Sequence, residues 1–158
     1  MIFKPSELKV VPLSEVPPGS LATLIGRESD IPLFLSLSGV DGKARIMFLG
    51  GDYSFEVALW SIEDATAFVV CAADELRVKL GSADASPDER APGSIALTTS
   101  GAFIRSKPTK QIHHGAKIDL NTWDKAEGNL THDQFLMFSD WEFGKLDDEG
   151  KFATIFAK

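Results

Sequence analysis

Between Ala44 and Trp60 the chain reads ARIMFLGGDYSFEVALW, two apolar segments separated by Gly50-Gly51-Asp52. In the second segment Tyr53, Phe55, Val57 and Leu59 fall on one face, with Ser54 and Glu56 on the other. That period of two places successive side chains on opposite faces of a half-buried strand. In the first, Ile46 to Leu49 is apolar without interruption, as in a strand covered on both faces. The glycine pair supplies the positive φ angles of a tight hairpin. The pattern thus predicts a hairpin at the centre of a β core.

Short strand-like segments recur along the chain. Leu8 to Leu13, with Pro5 and Pro12, suits an edge strand. Ser20 to Ile25 and Leu33 to Leu37 follow, and Asp41-Gly42 marks a tight hairpin before Ala44. In Ser61 to Leu80, Ile62, Ala65, Val69, Ala72 and Leu76 match a helical spacing, but Ala67 to Cys71 is β-branched and aromatic. The reading adopted is strand, turn at 73–75, strand. Gly81 to Gly93 is polar, with a helical turn expected after Ser86. Further strands are predicted at Ile95 to Thr99, Ala102 to Arg105, Ala116 to Leu120, Gln134 to Phe143 and Lys151 to Ala157. The expected fold is all-β, a mostly antiparallel sandwich or barrel, in one domain over residues 1–158.

An echo runs through the sequence. Pro18-Gly19-Ser20-Leu21-Ala22 returns as Pro92-Gly93-Ser94-Ile95-Ala96. Glu56 to Leu59, followed by Trp60, is matched to Lys117 to Leu120 and Trp123. Ala67 to Val70 is matched to Gln134 to Met137. Asp74-Glu75 is matched to Asp148-Glu149, each before a final strand. Two pseudo-repeated β units, 18–80 and 92–158, would then be joined by the linker 81–91, although β meanders reuse such residues without any duplication.

With 158 residues the chain can bury a sizeable core, and its net charge of -7 disfavours nucleic acid and anionic membranes as partners. The single cysteine, Cys71, excludes an internal disulfide and lies in an apolar run where it reads as a buried hydrophobe. Without a signal-like or membrane-spanning segment, the expected location is cytoplasmic, most simply in a prokaryote. No phosphate loop, G-x-S-x-G or H-E-x-x-H pattern occurs, and no cofactor is expected.

Three features remain as candidate binding sites. Residues 104–117 carry Arg105, Lys107, Lys110 and Lys117 with no acid, beside His113 and His114, whereas 118–150 are strongly acidic. Such a basic loop can hold an anion or steer a partner. His113, His114 and His132 with Asp119 or Asp133 offer metal-ligand chemistry at poor spacing. Trp123 and Trp141 could stack on sugar rings, and Trp141, between Asp140 and Glu142, is expected to be partly exposed. The leading expectation is a non-enzymatic protein-interaction or assembly module working through sheet edges and the 104–117 loop, by contact with another protein or by self-association. A small-molecule or metal-binding enzyme with a site near His113, His114, Asp119 and His132, and a carbohydrate-binding module, are the alternatives.

Overall fold

The computed structural model describes residues 9–25, 33–60, 65–110, 115–126 and 134–158. Apart from a single 3-10 turn at Leu13–Glu15, regular structure among these residues is entirely β. Three antiparallel sheets share one interior.

The first sheet contains β1 (Lys9–Pro12), β2 (Leu21–Ile25), β3 (Phe34–Val40), β4 (Lys43–Phe48), β5 (Val57–Trp60) and β6 (Thr66–Cys71), in the order β1-β6-β2-β3-β4-β5. The second contains β8 (Ile95–Thr98), β9 (Gly101–Arg105), β10 (Lys117–Asp119), β11 (Lys125–Ala126) and β12 (Phe135–Phe138), in the order β12-β8-β9-β10-β11. A third, small sheet places β13 (Trp141–Leu146) between β7 (Arg77–Leu80) and β14 (Phe152–Ala157). The arrangement is sandwich-like and does not close into a barrel.

Register decides which residues meet in the interior. Cys71, Leu21, Leu35, Met47 and Val57 form one row across β6, β2, β3, β4 and β5. Phe138, Ile95, Ile104, Ile118 and Lys125 form the corresponding row across β12, β8, β9, β10 and β11. The apolar members of these rows, with Trp141 and Phe143 from β13, make up most of the main core. Each large side chain so buried contributes roughly 1.5–3 kcal/mol. The run Ile46-Met47-Phe48 serves both faces of its sheet as expected: Met47 joins the main core, and Ile46 joins a second cluster with Phe34, Ala67 and Val69.

Several sequence expectations hold. Asp41 and Gly42 take φ of 50° and 74° and close the β3–β4 hairpin. β1 is an edge strand, and residues 66–80 form strand, turn and strand rather than helix. The two strands separate into different sheets, because the turn at 73–75 carries the chain from the first sheet to the third.

Others are corrected. The opening hairpin is not tight: β4 ends at Phe48 and β5 begins at Val57. Between them Glu56 N–H donates to Tyr53 O at 2.9 Å and Phe55 adopts φ of 64°, which breaks the alternation. Phe55 is therefore buried, while Tyr53 and Leu59 are exposed. Gln134 to Phe143 is two strands, because the bend at Ser139-Asp140 moves the chain from the second sheet to the third. No helical turn follows Ser86; instead Asp88 Oδ1 accepts the N–H of Arg90 at 3.0 Å, and the segment turns there.

Candidate binding groove

The histidine-centred site falls on His113, His114 and His132, which lie outside the described residues, as does Asp133. Asp119 is described. Its Oδ1 accepts N–H from Asn121 at 2.7 Å and Thr122 at 3.3 Å, forming the turn that leads to Trp123. Among the described residues no three His, Cys, Asp or Glu side chains come together in a metal-binding group.

Much of the basic stretch is turned toward the chain itself. Arg105 Nε donates to Glu89 O at 3.0 Å, and burial lowers the guanidinium pKa, with Glu89 opposing that shift. Lys107 Nζ lies 3.3 Å from the Glu56 carboxylate, and its N–H donates to Phe55 O at 2.7 Å. Lys117 is buried with Nζ 4.6 Å from the Phe103 ring centroid, a cation–π geometry. Lys110 is exposed.

The expected partial exposure of Trp141 is wrong. At 1% exposure it is the hub of the core. Its rings contact Phe143, Phe156 and Phe55 at centroid separations of 4.6, 5.7 and 6.2 Å, and its indole N–H donates to Gly93 O at 2.7 Å. The flanking acids suggested exposure, but alternation sends Asp140 and Glu142 outward and the ring inward. Trp123 is half-buried, and a Cβ on Gly19 would fall inside its indole. Cys71 is buried, and desolvation pushes its thiol up to about 11, with Glu75 adding to the shift.

A different site emerges where the two large sheets end beside one another. A groove of about 460 Å³ lies there, lined by Arg45, Val57 and Leu59 from the first sheet and Ala116, Ile118 and Lys125 from the second. Among the described residues β5 and β11 are edge strands of their sheets. Ala116 and Ile118 are buried, whereas Leu59 is 54% exposed.

Two cations border this apolar surface. Arg45 is anchored: its Nε donates to Ser38 O at 2.9 Å and its Nη2 pairs with the Asp124 carboxylate. That pairing ties the sheets together and holds the Asp124 carboxyl below the usual carboxylate range, aided by the N–H of Lys125. Lys125 differs. It ends a row that is otherwise apolar, and its ammonium has no ion-pair partner among the described residues.

The groove thus offers apolar contact, strand edges and the ammonium of Lys125, which has no ion-pair partner among the described residues. Its described lining is apolar side chains with one arginine and one lysine, a composition suited to binding an amphipathic ligand. Sequence reasoning passed over Lys125 because it sits in the polar stretch 124–133. Only the β10–β11 register shows that it stands, exposed, at the end of the row that runs through Ile118. Comparison with known protein families, curated proteins and solved structures finds no match to this chain.

Proposed function

We propose that the protein is a non-enzymatic binding module that holds an extended, carboxylate-bearing segment of another protein in the groove between β5 and β11. The observation that carries this reading is Lys125, a lysine with no ion-pair partner among the described residues, at the end of an apolar row and beside two strand edges. An edge strand offers backbone hydrogen bonds to an added strand, and alternate side chains of that strand find apolar contacts. Lys125 selects for a carboxylate and Leu59 supplies exposed apolar contact.

Selection of a random twelve-residue peptide library on the immobilised full chain tests this. The expected consensus alternates apolar residues and includes Asp or Glu. Its affinity should fall about tenfold in Lys125→Glu, or roughly 1.4 kcal/mol, and also fall in Leu59→Asp. Failure to select any peptide, or equal binding to Lys125→Glu, overturns the proposal. Displacement of a groove-bound dye by dodecanoate but by no peptide would assign the groove to small amphiphiles instead.

A further inference from the structure

We infer that the chain is a fused pair of equivalent β units related by an approximate twofold axis, and that the groove lies on that axis and is completed only by both units. The inference deepens the binding reading above and rests on it for the ligand, but its geometry stands separately.

The strand orders β6-β2-β3-β4-β5 and β12-β8-β9-β10-β11 correspond element by element. Hydrogen bonds correspond as well. Gly19 N–H donates to Ser36 O at 2.8 Å, and Gly93 N–H to Arg105 O at 2.7 Å. Ser36 N–H returns to Ser20 O at 2.9 Å, and Arg105 N–H to Ser94 O at 3.0 Å. Leu49 N–H donates to Leu33 O, and Leu120 N–H to Ala102 O, both at 2.9 Å. Ser20 and Ser94 are each buried, and neither hydroxyl has a hydrogen-bond partner among the described residues.

The contacts between the units are reciprocal. Phe55 and Trp123 both adopt left-handed backbone, φ 64° and 60°, which costs a non-glycine residue roughly 1–2 kcal/mol. Phe55 of the first unit covers Gly93 of the second and accepts the N–H of Lys107 at 2.7 Å. Trp123 of the second covers Gly19 of the first and accepts the N–H of Ser38 at 2.8 Å. Both glycines need positive φ, 86° and 73°, and the absence of Cβ lets each ring seat. Such an exchange, where residue i touches j and j touches i, is the signature of a twofold interface. Strands β7 and β13 pair antiparallel with each other across the same junction.

This correspondence corrects two of the sequence echoes. β10 answers β4 rather than β5, so Phe55, and not Trp60, is the counterpart of Trp123. β13 answers β7, leaving β1 and β14 as additions outside the paired units.

The groove residues are counterparts too. Val57 pairs with Met47 as Lys125 pairs with Ile118, at the ends of matching rows. The single charge at this pair of positions breaks the symmetry and gives a bound strand one direction.

The test moves that charge to its twofold mate. Lys125→Val alone should weaken a selected peptide about tenfold. Adding Val57→Lys should restore affinity to within about threefold, with the peptide direction reversed, as read by a spin label on its N-terminus. A double variant as weak as Lys125→Val overturns the inference while leaving the binding reading intact; absence of any selected peptide overturns the binding reading alone. Thermal melts then decide the geometry without a ligand. The drop in melting temperature caused by Gly93→Ala should be partly relieved by Phe55→Leu and not by Trp123→Leu. That caused by Gly19→Ala should be relieved by Trp123→Leu and not by Phe55→Leu. Any other pattern refutes the reciprocal arrangement, and an unfolded glycine variant is replaced by comparing the two leucine variants, whose melts should fall by similar amounts.

Discussion

Replacing Trp141 by phenylalanine probes the packing centre of the molecule with a small change. The substitution keeps a six-membered ring against Phe143, Phe156 and Phe55 but deletes the N–H that reaches Gly93 O at 2.7 Å. With Trp141 at 1% exposure, no bulk water stands ready to replace that donor. A buried carbonyl left unpaired costs about 1–3 kcal/mol. A void of roughly 40 Å³, at about 24 cal/mol per Å³, adds about 1 kcal/mol. The sum, about 3 kcal/mol, corresponds to a melting temperature lowered by about 6–12 °C in a chain of this size. Thermal unfolding followed by far-ultraviolet circular dichroism measures it, with Trp60→Phe as the control. The Trp60 indole N–H is enclosed without a hydrogen-bond partner among the described residues, so its removal should shift the melt by much less. If Trp141→Phe melted within about 2 °C of the parent, or no lower than Trp60→Phe, the reasoning would be refuted.

Two further outcomes follow from titratable groups. With its pKa near 11 instead of the ordinary 9.0, native Cys71 should present about a hundredfold fewer thiolates at pH 8 and react with a disulfide reagent only on unfolding; rapid labelling of the folded protein would contradict this. The unfolded chain ionises that thiol first, so stability should decline as pH rises from about 9 through about 11, and Cys71→Ala should flatten the decline. Asp124 shifts the other way: its depressed pKa gives stability present above about pH 4 and lost as pH falls through the folded value. Asp124→Asn should therefore destabilise slightly at pH 7, by less than about 1 kcal/mol for so exposed a carboxylate, and by progressively less as pH falls below about 4; an effect that does not change with pH would exclude the ion pair as its cause.

Local pattern carried most of the β architecture. Period-two alternation and turn dipeptides located β2, β3, β8 and β10 closely, because a strand with one buried face must alternate. It failed at Phe55, where a left-handed residue inside an apparently alternating run turned the chain before β5 began. It failed again at Ser139-Asp140, where a bend between two aromatic runs sends them to different sheets. Trp141 was misjudged because neighbours in sequence do not report which face a ring occupies. Lys125 was passed over because its significance lies in the residues beside it across the sheet, Ile118 and then Ile104, and this register is not written in the local sequence. The 104–117 stretch was legible as a concentration of charge, but not as one partly spent on Glu56 and the Glu89 carbonyl.

The crossed seating of Phe55 on Gly93 and Trp123 on Gly19 also bears on the order in which the chain can fold. Hairpins such as β3–β4 close early because their residues are neighbours in sequence. The turn before β2, however, is covered by Trp123 from far along the polypeptide, and the turn before β8 by Phe55. Contacts between residues so far apart in sequence form late, so refolding is expected to be slower than for a chain of this length built from local hairpins alone, as stopped-flow fluorescence would read.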